Sequence, residues 1–441
     1  MIKTIIARPR YLEKVLPFVE KPVIKVFVGQ RRVGKSYLLH LTMSMLREKG
    51  VPKSRIIYIN KELHEFEDIR TDRDLIAYIE SRAREAGQAR EGRERGGAPD
   101  AGGGQKARGG RGAESGHRSP GPLVHVFLDE IQEVERFERA LVSLLAAGGY
   151  DLYCTGSNAR LLTGDLAAGL GGRYVEIRVH ALSFEEFLAF HRLEPSPQSL
   201  ERYIRFGGLP FLIYLPLEER TVYEYIRSIY GAILFKDVIR RHNIRNPAFL
   251  ERLVLFLADN VGNVVSAKRI SDFLRSEKTR ISPSVVLDYL GYLRQAYFVQ
   301  AARRSDLAGK KIFEIGEKYY FEDLGLRHAI VGFRQADIAK VIENLVFAQL
   351  VGAGFEVTVG KTNGGGEVDF VCRGAGGEKI YVQAAYLMAD EATREREFGR
   401  LLAIRDNYPK FVVSMDPMAG GDVKGVRHLA LIDFLSGRWQ A

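Results

Sequence analysis

Eight consecutive residues, Gly29-Gln30-Arg31-Arg32-Val33-Gly34-Lys35-Ser36, fit the pattern G-x-x-x-x-G-K-[ST]. The chemistry of such a run is phosphate binding. Gly29 and Gly34 let the backbone turn close to an anion. The N–H groups of the loop, and of the helix it opens, then surround that anion. Lys35 is placed to reach the β- and γ-phosphates of ATP, and Ser36 to offer its hydroxyl to Mg2+. The expected nucleotide contacts run from Gly29 through Gln30, Arg31, Arg32, Val33, Gly34, Lys35 and Ser36 to Tyr37.

A second run supplies acids. Val124-His125-Val126-Phe127-Leu128-Asp129-Glu130 is an apolar strand that delivers two carboxylates at its end. Asp129 is expected in the Mg2+ shell with Ser36, and Glu130 is expected to orient the attacking water. A solvated turn would also carry two adjacent acids; the phosphate loop upstream favours the catalytic reading. A third strand ends in Thr155-Gly156-Ser157-Asn158. Strand carboxyl ends in parallel sheets face the ligand, so Asn158 or Ser157 is a candidate sensor of the γ-phosphate, with a polar turn as the alternative. Phosphoryl transfer also needs positive charge in its transition state. Arg160 and Arg173 are the candidate arginine fingers, or else plain surface charges. A finger acting in trans requires a homo-oligomer.

The elements that must position these groups are legible in the apolar pattern. Residues 23–29, 55–60, 124–129, 151–157 and 173–179 read as strands. Residues 35–49 read as a helix with Leu38, Leu41, Met45 and Leu46 on one stripe, and a second helix is expected from Glu133 to Leu145. Strand alternating with helix predicts a parallel sheet covered on both faces. Residues 84–121, nearly all Gly, Arg, Ala, Glu and Pro, lack the apolar side chains that would offset ordering and read as a disordered insertion. Such an Arg/Gly segment is either a nucleic-acid-binding arm or a solvated loop.

The motifs GQRRVGKS, VFLDEIQ, TGSNARLL, GGRYVEIRVHALSFEEF, GGLP, EVDFV and DNYPKFVVSMD together resemble the bacterial and archaeal AAA-type ATPases that carry a C-terminal domain of unknown function, DUF4143. The resemblance spans nearly the whole chain outside 84–121. It implies an α/β fold: a P-loop AAA parallel sheet over 1–180, a helical lid over 181–245, a winged helix over 246–332 and a restriction-endonuclease-like α/β domain over 333–441. It also implies Walker roles for Lys35, Ser36, Asp129 and Glu130 and a sensor role for Asn158.

The residues of the last segment can be weighed for nuclease chemistry, which needs carboxylates around Mg2+ and a lysine near the attacked phosphate. Glu343 falls on a helix, and Glu367 and Asp369 share one face of a strand. Gln383 and Ala385 stand where an acid and a lysine are expected, so the site reads as degenerate unless a lysine from elsewhere, such as Lys361, substitutes. Lys268, Arg269, Arg275, Lys278 and Arg280 gather around the second helix of the winged-helix segment, as on a DNA-reading helix or on a solvated one. His64, His125, His180 and His328 show no metal-ligand spacing, and Tyr319-Tyr320, Tyr292 and Tyr297 read as core.

Composition sets the outer limits. The 441 residues are 46% hydrophobic and 27% charged, the usage of ordinary globular domains. No run approaches the length needed to cross a membrane, and the start of the chain shows no signal-peptide pattern, so a cytoplasmic protein with no membrane partner is expected. Cys154 and Cys372 cannot build a disulfide framework. A net charge of +10 is compatible with a DNA partner. Three readings follow: an ATPase whose nucleotide state moves its C-terminal domains, a nucleic-acid-binding protein that uses ATP as a switch, and a metal-dependent nuclease.

Overall fold

The computed structural model describes residues 6–95, 123–159, 170–276, 281–306, 316–361, 366–417 and 419–439. Its contacts divide the chain into two compact units, Met1–Val28 with Lys35–Val179, and Gly29–Gly34 with His180–Ala441. No helix among the described residues is long and apolar enough to cross a membrane.

In the first unit, α1 (Pro9–Val15) leads into β1 (Ile24–Val28), followed by α2 (Lys35–Glu48), β2 (Ile56–Asn60), α3 (Asp72–Arg95), β3 (Val124–Asp129), α4 (Phe137–Ala147), β4 (Tyr150–Gly156) and β5 (Tyr174–Arg178). The strands form one sheet in the order β2-β3-β4-β1-β5, and every pair is parallel. All carboxyl ends therefore share one edge. β1 is buried at every position, as a central strand covered on both faces must be.

Details depart from the sequence reading. α2 buries Leu38, Leu39, Thr42 and Leu46, so the stripe is rotated and Leu41 and Met45 are only half-buried. The second expected helix starts at Phe137 instead of Glu133. Glu130 adopts a left-handed φ of 55°, and Ile131–Glu133 form a 3-10 turn that delays the helix. Residues 84–95, expected in the disordered insertion, continue α3 instead. Their Arg, Glu and Ala are strong helix formers even without an apolar face, and the preceding turns are laced by Arg84–Glu80 and Arg82–Glu85 pairs. The rest of that insertion lies outside the described residues.

A charged cluster braces the amino edge of this sheet. Asp151 accepts from Lys25 Nζ, pairs with His125 Nδ1 at 3.0 Å, and accepts from the Tyr153 hydroxyl at 2.7 Å and the Glu20 amide at 3.1 Å. Burial alone would raise the Asp151 pKa, but its bonds to His125 and Lys25 hold it below the usual carboxylate value. His125 is thus a structural residue. Both cysteines are buried and free, and burial pushes the Cys154 thiol up to about 12.

The second unit begins with α5 (Phe184–His191) and α6 (Pro197–Phe206), each opened by a serine capping box, then α7 (Glu219–Ala232), which runs into a π-helix over Ile233–Arg240. Next come α8 (Pro247–Asp259), β6 (Val264–Val265), α9 (Ala267–Ser276), α10 (Pro283–Gln295), β7 (Val299–Asp306) and β8 (Glu317–Phe321). The chain ends with α11 (Leu324–Val331), α12 (Ile338–Gly352), β9 (Glu356–Lys361), β10 (Glu367–Arg373), β11 (Lys379–Ala384), α13 (Glu391–Leu402), β12 (Lys410–Ser414), β13 (Asp422–Val423), β14 (Val426–Ala430) and α14 (Leu431–Leu435). Nine strands form one mixed sheet, in the order β13-β14-β12-β11-β10-β9-β7-β8-β6. The sequence reading separates 246–332 from 333–441; a parallel pairing of β7 with β9, Arg304 opposite Val359, joins their strands. β7 is eight residues long, and its far end would otherwise be an open edge.

The GGLP motif is a crossing point in this unit. The buried Asp323 caps α11 and accepts from the Gly208 amide at 2.6 Å and the Leu326 amide at 3.1 Å. Burial pushes Asp323 up to about 6 despite those bonds. A Cβ on Gly208 would lie 2.4 Å from the Leu182 carbonyl oxygen, a backbone atom with no room to yield. Gly208→Ala is therefore expected to cost roughly 3 kcal/mol of stability, read as a lowered denaturation midpoint. An unchanged midpoint would show that this crossing is looser than its geometry.

Candidate functional site

The carboxyl edge of the parallel sheet gathers the candidate groups of the first unit. β3 ends at Asp129, β4 leads into Ser157 and Asn158, and α2 opens at Lys35 after the loop that follows β1. In the sheet β4 lies between β3 and β1, so the ends of β1 and β3 are only about 10 Å apart. Lys35, Asp129, Ser157 and Asn158 are all buried, while Ser36 and Glu130 are half-buried and Tyr37 is exposed.

One threonine fixes both acids. Thr155 Oγ1 donates to Asp129 Oδ1 at 2.5 Å and accepts from the Glu130 amide at 2.8 Å. Tyr58 donates to Asp129 Oδ2 at 3.1 Å, and burial followed by the Asp129 charge holds its phenol well above the ordinary pKa. His40, on α2, packs against Tyr58 with ring centroids 4.9 Å apart and the rings tilted by 49°, and burial lowers its pKa. The left-handed backbone at Glu130 turns the chain sharply after Asp129, and Gln132 Nε2 donates to the Glu130 carboxylate. Left-handed non-glycine residues concentrate at functional sites. Thr155, Tyr58 and His40 were not singled out for these roles in the sequence.

A magnesium ion prefers oxygen donors and uses one or two protein ligands beside phosphate and water oxygens. Ser36 and Asp129 carry oxygen donors of that kind, and Asp129 is oriented by Tyr58 and Thr155. Among the described residues, no group of three or more His, Cys, Asp or Glu side chains is placed to hold a metal on its own.

The loop Gly29–Gly34 belongs by its contacts to the second unit. Three of its six residues have positive φ: Gly29 at 152°, Arg32 at 71° and Gly34 at 96°. Such turns aim successive N–H groups to one side. Gln30 and Val33 are buried. Arg31 points its guanidinium at Asp237, with Nε to Oδ2 at 3.0 Å and Nη2 to Oδ1 at 3.1 Å.

The two candidate fingers fare differently. Arg160 lies outside the described residues. Arg173 is exposed and precedes β5, its carbonyl accepting from the Ile24 amide at 2.9 Å. Since β5 runs parallel to β1, Arg173 stands at the amino edge, a full strand length, about 16 Å, from the carboxyl edge. It cannot serve this edge within its own chain. Arg178, opposite Val28, is the arginine that β5 brings to the carboxyl edge.

The second unit holds the acid cluster. Glu343 on α12 and Glu367 and Asp369 on β10 surround the ammonium of Lys318 on β8, at 2.9, 2.6 and 3.7 Å. The Tyr320 hydroxyl donates to Glu343 at 2.7 Å. Gln383 spends its amide nitrogen on Asp369 and Glu397, at 2.7 and 3.0 Å. Ala385 packs in an apolar cluster with Val368, Met388 and Phe398. Lys318 is thus a lysine that reaches the acids, and Lys361 stands opposite Glu367 in the strand register. On α9, Lys268, Arg269 and Arg275 are exposed, and Arg275 lies 3.6 Å from Asp272; Lys278 and Arg280 are outside the described residues. Tyr297, Tyr319 and Tyr320 are core residues.

A family model described as AAA domain matches residues 111–188, and one described as Domain of unknown function (DUF8612) matches residues 197–337. The latter is a different family from the DUF4143 suggested by the motifs. An uncharacterized protein of Haemophilus influenzae is 30% identical over 441 residues, covering 99% of this chain and 100% of that protein. An uncharacterized protein of Methanocaldococcus jannaschii is 29% identical over 289 residues, covering 62% of this chain and 63% of that one. A Walker-type ATPase of Pyrococcus abyssi superposes with a TM-score of 0.45 at 18% identity, covering 73% of this chain and 94% of that chain.

Proposed function

We propose that this chain, which belongs to the same family as the Haemophilus influenzae protein and carries an AAA domain, binds ATP with Mg2+ and hydrolyses it. One observation supports the reading above all. A buried lysine opening a helix, and an acid pair pinned by one threonine, occupy the same edge of one parallel sheet.

In this reading the loop amides and the first turn of α2 receive the β- and γ-phosphates. Lys35 neutralises their charge. Ser36 and Asp129 would hold Mg2+, which would offset charge on the phosphate oxygens. Glu130 orients a water and takes its proton as the water oxygen bonds to the γ-phosphorus. The bond from that phosphorus to the β–γ bridging oxygen breaks, and ADP leaves with the electron pair. Asn158 marks the γ-phosphate position. Arg173 would act only in trans, from a second copy of the chain. Glu130→Gln is expected to keep nucleotide affinity within about threefold and to lower turnover by roughly 10²–10⁴-fold. Undiminished turnover in that variant would refute the role of Glu130.

The finer architecture is also a proposal. The order α8-β6-α9-α10-β7-β8 supports a winged helix, and α12-β9-β10-β11-α13-β12 supports a restriction-endonuclease-like fold of the kind the DUF4143 resemblance suggests. Nucleotide state is proposed to act on both. The exposed Lys268, Arg269 and Arg275, with the +10 charge, favour a DNA partner as the second reading. DNA-stimulated hydrolysis that fades with salt is its mark. A nuclease is disfavoured, because the Lys318 ammonium takes the place of a divalent cation among the acids.

A further inference from the structure

The second unit holds two features that the nucleotide reading leaves unused. Arg31 of the phosphate loop grips Asp237 through a two-pronged fork, and the pair is largely shielded, with side chains 14% and 2% exposed. Asp237 lies within Ile233–Arg240, a π-helix that continues α7 without a break. π-helices seldom exceed a single turn, and they gather at functional sites. Eight residues in that state need something to hold them. Ile233, Leu234, Asp237 and Val238 form the buried side, while Phe235 is 61% exposed. Burial raises the pKa of the Tyr225 phenol on α7, and a second loop arginine, Arg32, lies close enough for its charge to offset part of that rise.

A guanidinium binds a carboxylate and a phosphate with the same planar fork. We propose that Arg31 is a switch shared between Asp237 and the phosphate of a bound nucleotide. While the fork is made, Asp237 holds Arg31 and the segment 233–240 is π-helical. A phosphate on the loop competes for the same fork. Loss of the fork removes that tether from Asp237, and the segment relaxes towards the α-helical spacing of α7. Arg31 and Asp237 are positioning residues in this scheme. It rests on the nucleotide reading of the loop and adds the element that responds to it.

The test uses the full chain and a slowly hydrolysed thio analogue of ATP. Hydrogen–deuterium exchange over residues 226–244 and affinity for the analogue are measured in the wild type, Asp237→Asn and Asp237→Glu. In the wild type, the analogue is expected to change exchange over 233–240 by about fivefold or more. Asp237→Asn is expected to show that altered pattern without nucleotide and to bind the analogue about three- to tenfold more tightly, since no carboxylate competes. Asp237→Glu restores wild-type behaviour in both readouts. A merely structural role for Asp237 gives no tighter binding. Analogue binding with unchanged exchange over 233–240, or affinity in Asp237→Asn no higher than wild type, overturns the switch and leaves the nucleotide reading standing. No binding by the wild type overturns both. Should Asp237→Asn fail to fold, Arg31→Lys, which keeps the charge and loses the fork, must show the altered exchange without nucleotide; a wild-type pattern there overturns the switch.

Discussion

Lys35→Ala is expected to remove ATP binding, with affinity falling by roughly 10²–10³-fold, because a charge-assisted contact to the phosphates is lost in a partly desolvated site. The ammonium is placed for this. Lys35 opens α2, its side chain is buried, and the residue before it, Gly34, has a φ of 96° that only glycine adopts without strain. The helix N-terminus adds favourable amides and dipole, but these alone do not replace a full positive charge against a triphosphate. Alanine is a good helix former, so α2 should persist and the unfolding midpoint should change little. Fluorescence anisotropy with a labelled ATP analogue reads the affinity, and circular dichroism confirms the fold. Retained tight binding in a folded Lys35→Ala protein would remove the loop from the phosphate site.

The chemistry that lies within a short contiguous run was legible in the sequence. The phosphate loop and the acid pair need only local spacing and a strand before them, and the runs of Ile, Val and Phe gave those strands. Groups that act across strands were not legible. Thr155 meets Asp129 only because β4 pairs with β3 in the register that sets Leu128 opposite Cys154. Arg173 and Arg178 differ by one strand length, and only the direction of β5 shows which stands at the carboxyl edge. α3 misled for another reason. Its distal half lacks an apolar stripe, so burial arguments see disorder where helix propensity sees a helix. Lys318 is the plainest case. It comes from β8, far in sequence from the acids of the last segment, and the continuous nine-stranded sheet delivers it to Glu343, Glu367 and Asp369.

Lys318→Met should accordingly destabilise the second unit by about 3–5 kcal/mol at pH 8, the range found when one partner of a buried ion pair is removed. Methionine keeps most of the stem's packing, so the loss reports on charge. Burial alone would lower the Lys318 pKa, but Glu343, Asp369 and Glu367 outweigh it and raise it, so the ammonium stays charged. Asp369 is pushed up to about 7 by burial and then by the Glu343 charge, with Lys318 opposing. A carboxyl whose folded pKa lies above its unfolded value contributes stability that is present below the unfolded value and lost as pH rises through the folded one. For Asp369 that window runs from about 4 to about 7. Without Lys318, the charge that opposes this rise is gone and the Asp369 pKa rises further, so the loss should be largest at pH 8 and smaller at pH 5. Urea denaturation followed through the single tryptophan, Trp439, reads this unit, since Trp439 is buried and stacks on Phe434 at 5.1 Å. Nucleotide-free Mn2+ adds the decisive arm. It should stabilise Lys318→Met, where an ion can take the ammonium's place, and leave the wild type unchanged. A wild type that Mn2+ stabilises, with the effect abolished by Asp369→Ala, would mean that Lys318 does not fill the acid cluster and that a metal centre operates there after all.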